Sequence, residues 1–196
     1  EAAGADFLDL NVDEISIQPA EQEAAMTWLV DAVQKMNELP VSIDSSNLEV
    51  IRVGLEGADQ GRARPLLNSA SLERIDALDL AARFNARVVV TAAGEKGMPA
   101  GVEERLANAG RMIEAAQAKG LVLSDLHVDP LVFPVSVDHS YGLDVLEAVR
   151  RLRQDYGPEI HITGGFSNVS FGIPGRKLIN TVFLILAIEA GADSGI

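Results

Sequence analysis

Short apolar or β-branched runs alternate along the chain with longer segments whose apolar residues recur three and four positions apart. The first pattern fits strands and the second amphipathic helices, so their alternation predicts repeated βα units on a parallel sheet. Strands are expected at Phe7–Asn11, Val41–Asp44, Pro65–Asn68, Val88–Thr91, Leu126–Asp129 and His161–Gly164. Helices are expected at about Ala20–Leu39, Asn47–Gly57, Leu72–Asn85, Val102–Lys119, Asp138–Gln154 and Lys177–Ala190. Gly57, Gly120, Gly157 and Gly191 fall where helices should stop. Ser46 followed by Glu49 reads as a capping box that turns the second strand into its helix. No linker, low-complexity segment or domain boundary interrupts the pattern, so residues 1–196 are read as one domain.

The polar positions separate two α/β architectures. The strands finish in polar residues: Asn11 after Asp9, then Asp44, Asn68, Thr91 and Asp129, with Ser167 and Asn168 just beyond the sixth run. In a (β/α)8 barrel all strand C-termini share one face, and that face carries the chemistry. An open doubly wound sheet would use only those near its switch point. The expected fold is therefore a (β/α)8 TIM barrel. Such a barrel takes about 250 residues, and 196 residues hold six complete strands and the start of another at Asp193–Ile196. Glu1–Ala5 reads as a helix end with its glycine stop, so the chain is expected to be a barrel truncated at both ends, with strands two to seven complete.

Composition narrows the partners. Hydrophobic residues make up 47% of the chain and charged residues 23%, enough apolar content for a core and against a disordered tail. No apolar run reaches the roughly 18–20 residues of a membrane span. A net charge of −13 argues against nucleic acid and anionic membranes, where clustered Lys and Arg supply the affinity. The absence of cysteine removes disulfides and thiolate metal sites and fits a reducing, cytoplasmic setting. No metal site is expected.

Carboxylates and carboxamides at strand ends suit a flat heterocycle rich in donors and acceptors, because a carboxylate accepts two parallel N–H bonds and an amide both donates and accepts. No glycine-rich phosphate loop follows a strand, and Gly164-Gly165 is a weak substitute. Taken singly, Asp44 and Asn68 could cap the helices that follow, and Asp129-Pro130 could be an ordinary turn. His127 reads as a core residue one layer below Asp129, and His139 and His161 as structural residues. Asn168-Val169-Ser170 matches a glycosylation sequon, which is read as accidental.

Gly165-Phe166-Ser167-Asn168-Val169-Ser170, with Arg176 and Leu178-Ile179-Asn180 after it, resembles the methyltetrahydrofolate:corrinoid methyltransferases. That pterin-binding family includes the folate domain of cobalamin-dependent methionine synthase. Leu8-Asp9-Leu10-Asn11-Val12, Ile43-Asp44-Ser45-Ser46, Leu67-Asn68-Ser69 and Val128-Asp129-Pro130-Leu131 follow in the family's order, so the resemblance covers essentially the whole chain. It implies that Asp44, Asn68 and Asp129 bind the polar edge of the pterin and that Asn168 is catalytic, hydrogen-bonding near the methylated nitrogen. Asp9, Asn11 and Ser167 would belong to the surrounding shell, and Arg176 falls where one branch has an arginine beside the pterin. The implied methyl donor is 5-methyltetrahydrofolate. The implied acceptor is a corrinoid (cobalamin) on a partner protein or domain, and a homodimer is a further expectation. Dihydropteroate synthases, the alternative enzyme, have Lys in place of Asn168 and Asp-Pro-Gly where this chain has Asp129-Pro130-Leu131. A module that binds pterin or docks a corrinoid protein without catalysis is the other alternative. Asp13-Glu14 and the Glu95-Lys96-Gly97 loop lean towards methionine synthase, whereas Gly97-Met98-Pro99 and Leu178-Ile179-Asn180 lean towards the corrinoid-protein branch.

Overall fold

The computed structural model describes residues 4–59, 61 and 63–195. Six βα units follow one another: β1 (Leu8–Asn11), α1 (Pro19–Met36), β2 (Val41–Asp44), α2 (Leu48–Gly57), β3 (Leu66–Ala70), α3 (Ala77–Arg83), β4 (Arg87–Thr91), α4 (Val102–Ala118), β5 (Leu126–Asp129), α5 (Tyr141–Tyr156), β6 (His161–Ile162) and α6 (Arg176–Ala190). The strands lie in one sheet in chain order, β1-β2-β3-β4-β5-β6, and the β1/β2, β2/β3 and β5/β6 pairings are parallel. Their β-branched runs are buried, as in Val41-Ser42-Ile43 and Val88-Val89-Val90, which is how parallel strands covered on both faces read.

The chain separates into two compact units, Glu1–Ala70 with Asp76–Val89, and Ser71–Ile75 with Val90–Ile196. In the first, α2 lies close on β2 because Gly54 has no side chain. A Cβ there would stand 2.6 Å from Ile43 Cγ2 and 3.1 Å from Met26 Cγ. Asn47 caps α2, its Oδ1 accepting the Glu49 N–H at 2.9 Å. The expected Ser46–Glu49 capping box is therefore not formed. The Ser46 N–H is held by Asp13, and the Glu49 carboxylate turns along the helix to Arg52.

In the second unit, Arg153 ties helix ends together. Its guanidinium donates to the Gly157 and Ile160 carbonyls, both at 2.8 Å, and to Gly191 O at 2.8 and 3.1 Å. Gly120, Gly157 and Gly191 end helices with positive φ as expected. Gly57 closes α2 without a left-handed turn.

Several boundaries move: α1 ends at Met36 rather than Leu39, β3 runs on to Ala70, and β6 stops at Ile162 rather than Gly164. α3 starts at Ala77 because Ser71–Asp76 is taken up by turns, with Arg74 N–H bonded to Ser71 O and Oγ. α5 starts at Tyr141 because Asp138 folds over the backbone and hydroxyl of Ser140 as a separate turn. Residues 192–195 form no strand, since Asp193 Oδ1 takes the Ile162 N–H at 2.7 Å while the Asp193 and Ser194 N–H groups both reach Ile162 O. Ile196 lies outside the described residues, as do Glu1–Ala3 of the expected helix end. The described part, Gly4, has the positive φ of such a stop.

Candidate functional site

In the first unit, parallel register turns three separate sequence motifs into one row. Asn11 pairs with Asp44 across β1/β2, and Asp44 pairs with Asn68 across β2/β3. Asn11 Nδ2 donates to Asp44 Oδ2 at 3.0 Å. Asn11 Oδ1 in turn accepts the Asp13 N–H at 2.9 Å. Asp13 braces the next strand end, accepting from Ser45 Oγ at 2.5 Å and from the Ser46 N–H at 2.8 Å. The Ser45 N–H continues to Asn68 O at 3.2 Å. Asn11, Asp44 and Asn68 thus form a donor-acceptor row fixed by backbone pairing and by the β1–α1 loop. Asp9 is exposed on the same strand face as Asn11, two residues earlier and opposite Ser42.

The second unit places Asp129 at the end of β5, half-buried, with Oδ1 accepting the Leu131 N–H at 2.8 Å. Burial pushes its carboxyl up to about 6, and that N–H bond pulls it partly back. Leu131 takes φ +67°, a left-handed conformation that costs an L-residue about 1–2 kcal/mol. The turn is gripped from α4. Arg105, fully buried, donates from Nε to Pro130 O at 3.0 Å and from Nη2 to Leu131 O at 3.5 Å, and its guanidinium lies 4.8 Å from the Phe133 ring centre.

Arg105 is a costly residue to bury. It stands in the first turn of a helix, where the dipole opposes a cation, and burial lowers its pKa. Its Nη1 is buried without a hydrogen-bond partner. No motif marks Arg105 in the sequence, although the spacing Arg105, Ala109, Met112, Ala116 puts it on the buried face of α4. A charged residue in that stripe was the available signal.

Ser167 and Asn168 are exposed on a short 3-10 turn, Phe166–Ser170. Arg176, at the start of α6, holds the turn from below, donating from Nη2 to Ser167 O at 3.1 Å and from Nε to Ser170 Oγ at 3.0 Å. Ser170 Oγ also bonds Asn180 Oδ1 at 2.5 Å. Arg176 is thereby joined to the segment that carries Asn168. His127 is buried as expected, and its ring stacks on His161 with centroids 4.6 Å apart. Among the described residues, no group of three or more His, Asp or Glu could hold a metal ion.

The sequence pattern of the pterin-binding enzymes matches residues 2–196. The chain belongs to this family. Among its relatives, the methylcorrinoid:tetrahydrofolate methyltransferase of Eubacterium limosum is 30% identical over 199 residues, 99% of this chain and 71% of that protein. The methionine synthase of Mycobacterium leprae is 30% identical over 208 residues, which span 98% of this chain but 17% of that protein. A dihydropteroate synthase of Xanthomonas albilineans, solved in complex with 7,8-dihydropteroate, has a TM-score of 0.77 at 21% identity, covering 99% of this chain and 73% of that one. A dihydropteroate synthase of Stenotrophomonas maltophilia gives 0.76 at 18% identity, with 99% and 76% covered. At such identities the likeness speaks for the fold: the pterin-binding chain is α/β, with six βα units of a TIM-barrel fold. No helix among its described residues is long and apolar enough to cross a membrane.

Proposed function

We propose that this pterin-binding chain transfers a methyl group between 5-methyltetrahydrofolate and a corrinoid carried by a partner protein or domain. The observation that carries the reading is Asn168 within a chain matched end to end by the pterin-binding family, with 30% identity to a methylcorrinoid:tetrahydrofolate methyltransferase. That relative's name writes the transfer in the opposite direction, and the same groups serve both directions by microscopic reversibility.

In this reading Asp44, Asn68 and Asp129 hold the polar edge of the pterin, and Asp9, Asn11 and Ser167 surround it. The corrinoid supplies the cobalt nucleophile that takes the methyl group. The chain must lower the barrier to breaking the methyl-nitrogen bond. A tertiary amine leaves poorly unless positive charge develops on its nitrogen, and the role proposed for Asn168 is to favour that form by hydrogen bonding. A carboxamide is no general acid at neutral pH, so its contribution is orientation and differential stabilisation, with the proton drawn from solvent. The carboxylates and Asn68 contribute positioning, which suits a reaction in which two large cofactors meet in line. Arg176 acts through the turn it braces.

Mixing the full-length protein with 5-methyltetrahydrofolate and cob(I)alamin, and following loss of the reduced corrinoid absorbance, tests the proposal. Asn168→Ala should slow single-turnover transfer by roughly ten- to a thousandfold, the scale of one transition-state hydrogen bond. Condensation of a pterin with p-aminobenzoate and no loss of corrinoid absorbance would replace the reading with dihydropteroate synthesis. Folate binding without either reaction would leave a docking module.

A further inference from the structure

Two glycines follow β6, and neither is required by its backbone: Gly165 has φ −76°, and Gly164 is not among the positive-φ glycines. What matters is the missing Cβ. A methyl group on Gly165 would stand 2.9 Å from Asn168 Nδ2 and 3.7 Å from its Cγ. One on Gly164 would stand 3.3 Å from Asp129 Oδ1, with Val132 and Phe166 at 3.6 and 3.7 Å. The first distance lies well inside the roughly 3.5–4.0 Å of ordinary carbon contact, so something would have to move.

The backbone around Asn168 is not free to do so. Its N–H bonds Gly165 O and its carbonyl accepts the Phe171 N–H, both at 3.0 Å. Arg176 pins Ser167 O and Ser170 Oγ on either side. The carboxamide is exposed and is the part that can yield.

We infer that Gly165 is a positioning residue: by leaving its Cβ space empty it admits the Asn168 carboxamide to the place where it stands. Gly164 leaves room for Asp129 in the same way, less tightly. The kinetic consequence rests on the methyl transfer proposed above, whereas the geometric one does not.

The test is a double-mutant cycle in the full-length protein with Gly165→Ala, Asn168→Ala and the double variant, and Gly164→Ala as a control. Gly165→Ala should slow single-turnover methyl transfer by about tenfold or more, and the double variant should be no slower than Asn168→Ala. In nuclear magnetic resonance spectra the Asn168 side-chain amide should be displaced by Gly165→Ala and unmoved by Gly164→Ala. If the wild type transfers no methyl group, the proposed function fails and the amide displacement alone decides the positioning. An unshifted amide in Gly165→Ala, or losses that add in the double variant, would overturn the inference. If Gly165→Ala does not fold, the double variant should fold and melt with Asn168→Ala, since the obstructing carboxamide is gone. A double variant that also fails to fold would overturn it too.

Discussion

In the proposed pterin site, Asp129 would couple folding and binding through one proton. An unfolded aspartate titrates near about 3.9, and burial raises the folded group to about 6. A raised carboxyl favours the protonated native state, so its contribution to stability is full below the unfolded value and is lost as pH rises through about 6. Binding runs the other way, because a pterin edge that donates N–H groups requires the ionised form. Affinity for 5-methyltetrahydrofolate should therefore climb as pH rises through about 6 and then level off. Titration calorimetry from pH 5 to 8 checks this, and Asp129→Asn should bind more weakly at neutral pH with that pH dependence flattened. The position of Asp129 was readable from the sequence because a polar residue ending an apolar run marks a strand terminus whatever the rest of the fold does. Its companion Arg105 was not readable in that way. What gives Arg105 its value is a pair of carbonyls 25 and 26 residues away, and no local pattern announces those.

Between elements, contacts are set by what glycine omits and arginine spans. Gly54→Ala would drive a methyl group into Ile43 and Met26, and overpacking of this kind costs about 1–3 kcal/mol. At about 2–4 °C per kcal/mol for a chain of this size, the melting temperature should fall by several degrees. Arg105→Met keeps the stem of α4 packed but strips the donors from the Pro130-Leu131 carbonyls. Folate affinity should then fall about tenfold, the worth of one hydrogen bond, with Arg105→Lys retaining part of it. Calorimetry on the two variants checks both the loss and its order. The alternation of strands and helices was legible throughout, whereas helix starts were less so. Ser46, Asn47 and Asp138 are all competent caps by residue type. A long-range contact decided the first case, Asp13 taking the Ser46 N–H, and a local turn the last, Asp138 closing on Ser140.

Taken whole, the chain carries a net charge of −13 yet exposes an apolar helix. On α6, Val182, Ile185 and Ile188 are 50%, 60% and 59% exposed, beside Leu178 at 71%. A contiguous patch of that kind drives association. The 196-residue chain should self-associate in sedimentation velocity experiments, and Ile185→Glu should shift it towards monomer. That face was written in Leu178-Ile179-Asn180-Thr181-Val182-Phe183-Leu184-Ile185-Leu186, apolar at seven of nine positions and wider than one buried stripe requires. The row Asn11, Asp44, Asn68 has a consequence of its own. It exists only in one alignment of β1, β2 and β3, and because side chains alternate, a slip of a single residue would turn a member of the row to the opposite face. A misaligned molecule could keep its helices, its circular dichroism and much of its core while losing the pterin affinity proposed for this row. Ligand capture is thus a stricter certificate of correct folding than any spectrum of the backbone, and the pterin itself would act as a template that rewards the one correct alignment.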